Sequence, residues 1–423
     1  MNLDGQTAWP RWPVSDERTV EALREVLDSG RWAISGPAAC GGRQERSREE
    51  EFAERFASYC GVRYGVALDH GTSALIAALE ALDIGFGDEV VIPGLTWVAP
   101  AVAVLSANAV PVLADIDPRT LCLDPQAAAE KITPRTKAII AIHMYGSMAD
   151  MDEIRSLADR HGLYVIEDAA HSHGAVWRGR KAGSLGHIGV FSMQQGKVLA
   201  CGEGGAAVTD DPELVRRMEE STWNGRTRTG EAASLPFSMG LREGRGRFGT
   251  NRCLSEFQAA ILLDQLTRLD AQNERRERSA RYLDGRLSLL PGIATMKRQE
   301  QVDRRTYYGY VVRIDVDRYG HASEAAARLR KLLGMGDYLL HPIYKPLYRN
   351  PLYAPHSRRH ALGEAFERAV DLSAVKLAHC EEAYADAIVF HHSVLLAEEE
   401  DLQRIALAFE QLPERQGRRA FRE

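Results

Sequence analysis

Apolar positions along this chain change period several times, and the changes mark out its elements. Residues 15–27 and 49–59 carry hydrophobic side chains at helical spacing, Phe52, Phe56 and Tyr59 among them, and predict two N-terminal helices. Between them, residues 35–42 are rich in Gly, Ala and Pro and read as a loop. From residue 64 the pattern alternates. Short apolar runs at 64–68, 89–92, 110–114, 138–142 and 163–166 predict strands, and 72–82, 98–107, 125–131 and 151–161 predict the helices between them. Strands that are apolar throughout are covered on both faces. The rhythm is that of an open, mostly parallel α/β sheet with helices on both sides. Residues 251–290 predict one long helix, apolar and periodic over 254–269 and strongly charged over 273–286. Beyond residue 292 the pattern changes: 307–314 is strand-like, 323–333 helical, and 398–412 an amphipathic last helix.

A chain of 423 residues exceeds one comfortable core. The expected division is a large α/β domain over 51–290 and a smaller C-terminal α/β domain over 291–423, with residues 1–50 packing against the smaller one. A net charge of -6 leaves no cationic excess for nucleic acid. The cysteines (Cys40, Cys60, Cys122, Cys201, Cys253, Cys380) are scattered, with no CxxC pair. That argues against a zinc site or a disulfide framework and fits a reducing cytoplasm. No run is long enough to span a bilayer, and the N-terminal residues have no apolar signal core.

In open α/β sheets, ligands sit beyond the carboxyl ends of the strands. Candidate chemistry falls at several such ends. Lys197 lies in Phe191-Ser192-Met193-Gln194-Gln195-Gly196-Lys197, ahead of the turn Cys201-Gly202-Glu203-Gly204-Gly205. Upstream, the apolar run Val165-Ile166 ends in Glu167-Asp168. A lysine in small and polar surroundings, behind a strand that delivers an acid, suggests a Schiff base with pyridoxal phosphate. The aldehyde needs an amine, and the pyridine nitrogen needs a carboxylate to keep it protonated. Most lysines are solvated surface residues, and the neighbouring motifs count against that reading here. Gly71-Thr72-Ser73 opens a helix, where the Thr72 and Ser73 amides would face a phosphate; alone, such a turn is commonly just a cap. Trp97 could stack on an aromatic ring, or be a core tryptophan. His171 follows Asp168 closely enough to reach a ring oxygen, with His173 a weaker candidate. Ser192 could bind phosphate or cap a turn. Gly202 to Gly205 would form a tight, positive-φ turn returning the chain to the sheet.

Taken in order, these segments resemble the DegT/DnrJ/EryC1/StrS sugar aminotransferases, which have the type I pyridoxal-phosphate aminotransferase fold. The resemblance covers nearly the whole chain. It runs through residues 30–36, Gly71-Thr72-Ser73-Ala74-Leu75, residues 111–117, His143-Met144-Tyr145-Gly146, residues 167–174, Lys197, Gly202-Glu203-Gly204-Gly205, Gly249-Thr250-Asn251 and Gln258-Ala259-Ala260. It implies Lys197 as the Schiff-base lysine and Asp168 as the partner of the ring nitrogen. Trp97 matches the ring-stacking aromatic and His171 the ring-oxygen contact. Thr72, Ser73 and Ser192 match phosphate ligands. Asn251 matches a residue reaching the neighbouring subunit's phosphate, which implies a homodimer with shared sites.

Residues 191–197, 94–99 and 31–36, with His391-His392-Ser393-Val394-Leu395-Leu396, are similar to one branch of that family. Its members use glutamine, or glutamate, and the keto cyclitols 2-deoxy-scyllo-inosose or scyllo-inosose, in aminoglycoside biosynthesis. The alternatives are 3-amino-5-hydroxybenzoate synthase, an aminotransferase for nucleotide-linked keto sugars, and a non-catalytic relative. Members with histidine in place of the lysine are dehydratases, and Lys197 argues against that. Three departures stand out. His70 occupies a place where many members have Asn, and Met144 one where Leu is commoner. Arg252 follows Asn251 directly, whereas nucleotide-sugar enzymes often carry Arg one position later, and it is not assigned to substrate.

Overall fold

The apolar runs pair edge to edge. The computed structural model describes residues 9–34, 47–228, 241–355, 370–373 and 375–414; the loop expected over 35–42 lies outside them. The main sheet has seven strands, in the order Tyr64–Leu68, Gly205–Thr209, Ile188–Ser192, Tyr164–Asp168, Thr136–Ile142, Glu89–Pro93, Val110–Ala114. The five from Ile188–Ser192 to Val110–Ala114 run parallel. Gly205–Thr209 is antiparallel to both its neighbours. The expected α/β architecture is therefore present.

Two of these strands were not legible as strands. Ile188–Ser192 and Gly205–Thr209 carry Gly189, Gly205, Ala206 and Ala207, residues of low strand propensity. Close approach explains the small residues. A Cβ on Gly205 would lie 2.4 Å from the His70 carbonyl oxygen, and one on Gly189 would lie 2.2 Å from that of Gly183.

Most helix ends follow local chemistry. Asp16 caps Glu17–Ser29 with a capping box, and Gly30, at φ 66°, ends it in the left-handed region. The long helix expected over 251–290 is instead two helices, Glu256–Leu266 and Leu269–Leu287. The first begins late because Ser255 accepts from the Gln258 N–H while the Gln258 side chain accepts from the Ser255 N–H. Residues 251 and 253 are extended, bridging Trp223 and Leu68 respectively. The break at Thr267 and Arg268 lies where the N-terminal helix docks. Thr19 donates to Asp264 at 2.6 Å, and Arg268 pairs with both Asp264 and Asp16 at 2.7 Å.

Among the described residues, buried apolar side chains form two clusters. One fills both faces of the seven-stranded sheet. The other gathers Trp9, Ala280, Leu283 and Leu287 with residues beyond 293. It covers an antiparallel sheet in the order Ile293–Thr295, Gly309–Ile314, Ala387–His391, Leu340–Pro342, with helices Ala322–Leu333 and Glu399–Glu410. Helix Leu269–Leu287 contributes Leu269 to the first cluster and its second half to the other.

Candidate active site

Parallel strands aim their carboxyl ends the same way, and the loops leaving those ends surround a cavity of about 420 Å³. Leu68 leads to Thr72, Pro93 to Trp97, Asp168 to His171, and Ser192 to Lys197. Thr72, Trp97, Asp168, His171, Ser192 and Lys197 all line it. Ser73 sits in the same helical turn as Thr72 but is not among the lining residues, nor is Asn251. Asn251 is exposed, in the extended stretch ahead of Glu256–Leu266, and its side chain accepts from the Cys253 N–H at 3.3 Å. His173 is buried against Phe191 and Phe56 and does not reach the cavity wall.

Asp168 is the last residue of its strand and is buried. One carboxylate oxygen accepts from the Ala170 N–H at 3.1 Å. Burial pushes its carboxyl above the usual carboxylate range, against the pull of the Ala170 N–H and the Lys197 ammonium. A protonated ring nitrogen in the cavity would supply the cation this buried carboxylate lacks.

Gly71 opens helix Gly71–Ala81 close to Ser192: a Cβ there would lie 2.6 Å from the Ser192 Cβ. The N-cap, His70, makes no side-chain capping bond, and the first turn holds no acidic residue. The N–H groups of that turn therefore remain available to an anion, beside the Ser192 hydroxyl. Acid partner, amine and anion cradle fit pyridoxal phosphate.

His171 is buried and stacks on Tyr308, with ring centroids 4.0 Å apart. Its Nδ1 accepts from the Tyr145 N–H at 3.4 Å, so the proton of the neutral ring sits on Nε2. Burial, helped by the Lys197 charge, holds its pKa well below the ordinary value, so the ring donates without carrying charge. Trp97 is 46% exposed and lies 5.7 Å from the Tyr344 ring. The Lys197 Nζ sits 4.2 Å from the centre of the Tyr308 ring.

Tyr308 and Tyr344 form a wall that sequence reasoning missed. They lie more than 100 residues after Lys197, pack against the first cluster, and no local spacing links them to it. Gly202, at φ 96°, confirms the positive-φ turn at one position; Gly204 and Gly205 are not in that region. Glu203 pairs with His70 at the rim, Oε2 to Nδ1 3.1 Å. Arg252 pairs with Glu80 at 2.8 and 3.0 Å, away from the cavity, in keeping with its not being assigned to substrate.

A model of the DegT/DnrJ/EryC1/StrS aminotransferase family matches residues 13–409. The L-glutamine:2-deoxy-scyllo-inosose aminotransferase of Streptoalloteichus tenebrarius is 47% identical over 401 residues, covering 95% of this chain and 93% of that protein. The L-glutamine:scyllo-inosose aminotransferase of Streptomyces griseus is 45% identical over 410 residues, with coverage of 95% and 93%. Among solved structures, 3-amino-5-hydroxybenzoic acid synthase superposes with a TM-score of 0.79 at 30% identity, covering 96% of this chain and 99% of that one.

Proposed function

This chain belongs to the DegT/DnrJ/EryC1/StrS aminotransferase family and is a pyridoxal-phosphate-dependent aminotransferase, and from that premise we propose its substrates and the roles of its residues. The amino donor is L-glutamine or glutamate. The acceptor is a free keto cyclitol, 2-deoxy-scyllo-inosose or scyllo-inosose, in aminoglycoside biosynthesis. The cofactor supplies an electrophilic carbon and an electron-withdrawing ring. With the cofactor bound, Lys197 would hold it through that carbon, and as a free neutral amine it would move the substrate α-proton. Asp168 holds the proton on the ring nitrogen. His171 donates from Nε2 to the ring oxygen, and Trp97 covers the ring face. Thr72, Ser73 and Ser192 bind the phosphate. Asn251, exposed and outside its own cavity, serves the partner's phosphate in a homodimer that works in the cytoplasm. Residues 51–290 act as the large domain and 291–423 as the small one; of the segment before them, Trp9 joins the small domain's cluster while helix Glu17–Ser29 docks on Asp264 and Arg268 of the large one.

One observation carries the acceptor class. Among the described residues lining the cavity, Lys197 is the only Lys or Arg. The other polar groups are of the kind that meet hydroxyls: Gln194, Thr96, Tyr308, Tyr344, and the His70–Glu203 pair. A nucleotide-linked sugar brings a pyrophosphate, which Glu203 would repel. The higher identity to the inosose enzymes than to 3-amino-5-hydroxybenzoic acid synthase points the same way.

The test offers glutamine with 2-deoxy-scyllo-inosose, scyllo-inosose or a nucleotide-linked keto sugar, at low and high salt, with products identified by mass. The free cyclitols should turn over, and the acceptor KM should barely change with salt. Turnover of the nucleotide-linked sugar alone would refute the acceptor assignment and leave the aminotransferase standing.

A further inference from the structure

Three side chains from outside the lysine loop hold its backbone. Trp12 donates its indole N–H to the Lys197 carbonyl at 3.0 Å. His391 and His392 stand where strand Ala387–His391 turns into the 3-10 helix His392–Leu396. Their Nε2 atoms lie 3.2 and 3.0 Å from the Gly196 carbonyl oxygen. The tautomers follow from the partners. Nδ1 of His391 accepts from the Ser393 N–H at 3.3 Å, so its proton is on Nε2. A carbonyl offers only lone pairs, so His392 also donates from Nε2. Both rings are buried, which lowers the pKa of His391 to about 4 and holds that of His392 well below its ordinary value, so they donate as neutral rings near pH 7.

The carbonyls on either side of the Lys197 Cα thus accept three N–H groups from distant parts of the chain. Within the loop, the Lys197 N–H donates to the Gln194 carbonyl at 2.8 Å and the Gly196 N–H to Gln194 Oε1 at 2.7 Å. Behind the contacts, Trp12 meets His392 edge-on at 4.6 Å, and the buried Arg276 guanidinium lies 5.0 Å from the Trp12 ring.

We propose that Trp12, His391 and His392 are positioning residues for Lys197, fixing the peptide planes around it so that its amine moves by side-chain torsions alone. The proposal rests on Lys197 being the Schiff-base lysine. That lysine must reach one carbon of the cofactor, leave it, and then meet a substrate proton. A misplacement of about 1 Å can cost roughly 10²-fold in rate. Because His391 ends a strand of the antiparallel sheet and His392 opens the 3-10 helix after it, the placement of Lys197 depends on how that sheet docks.

The test compares Trp12→Phe, His392→Leu, His392→Gln and the double Trp12→Phe/His392→Leu enzyme in the holo form. Trp12→Phe keeps an aromatic ring beside Arg276 while removing the indole N–H donor. Gln at 392 keeps an N–H near the position of Nε2. Two readouts are taken: the pH midpoint of the Schiff-base absorbance, and kcat against KM for the amino donor. Trp12→Phe and His392→Leu should each lower kcat by roughly 10-fold, and the double variant by roughly 10²-fold, with KM little changed and the midpoint displaced. His392→Gln should return both readouts toward the wild type. Unchanged midpoints and kcat in Trp12→Phe and His392→Leu would overturn the proposal, as would a His392→Gln enzyme no better than His392→Leu. Lys197→Ala is run beside them. If it kept the absorbance, the lysine assignment itself would fall and take this proposal with it, whereas its loss with unchanged variants would sink the positioning role alone.

Discussion

Glu167 and Asp168 are neighbours on one strand and serve opposite faces of it. Glu167 is fully buried, and its two oxygens accept from the N–H groups of Gly183, Leu185 and Gly186 at 2.7, 2.8 and 3.1 Å. It also receives His143 Nε2 at 2.8 Å; the other ring nitrogen accepts from the Ala149 N–H, so Nε2 carries the proton. Asp168, one residue on, faces the cavity. Alternation along a strand assigns the two carboxylates to different work. Asp168→Asn should therefore leave the fold and phosphate binding intact and reduce turnover by orders of magnitude, because the amide cannot hold the ring nitrogen protonated. Steady-state rates with bound-cofactor quantification check this; near-normal turnover with cofactor bound would remove Asp168 from the role.

The purified protein should be yellow, and Lys197→Ala should lose both the Schiff-base absorbance and transamination. A visible spectrum and a single-turnover assay are enough. Full turnover by Lys197→Ala would end the assignment.

Mixing Lys197→Ala subunits with Asn251→Asp subunits should restore part of the activity. One site of each heterodimer then receives both intact residues, and the carboxylate at the other site repels phosphate. Activity after verified subunit exchange is the measurement. Absence of rescue would place the function of Asn251 within its own subunit.

Glu49 should make stability depend on pH away from the active site. It is fully buried, and burial raises its pKa from 4.5 to about 7, against the pull of Arg228 at 2.6 Å and with the help of Glu256 and Glu219. A raised folded-state value means that the contribution is fully present below the unfolded pKa and is lost as pH rises through about 7. The span is worth roughly 3 kcal/mol. Denaturation midpoints of the wild type, relative to Glu49→Gln, should fall between pH 5 and pH 8. A constant difference across that window would contradict the reading.

The alternating pattern of this chain determined much on its own. Apolar runs long enough to bury both faces imposed parallel strands, and strand ends in such a sheet are where ligands bind. Thr72, Trp97, Asp168 and His171 were therefore legible, each lying within a few residues of an apolar run that ends at the same edge, while Ser192 and Lys197 were legible from their own motif and not from the strand that carries them. Local signals failed where packing overrode propensity. Ile188–Ser192 and Gly205–Thr209 are strands interrupted by Gly189 and Gly205 because backbone passes close to both, and Asn251 and Cys253 are extended because they bridge other segments. Tertiary structure alone brought Tyr308 and Tyr344 to the cavity, set Arg252 against Glu80, and carried Trp12, His391 and His392 to the carbonyls beside Lys197. A periodic pattern reports which face of an element is buried; it holds no information about which distant element will cover that face.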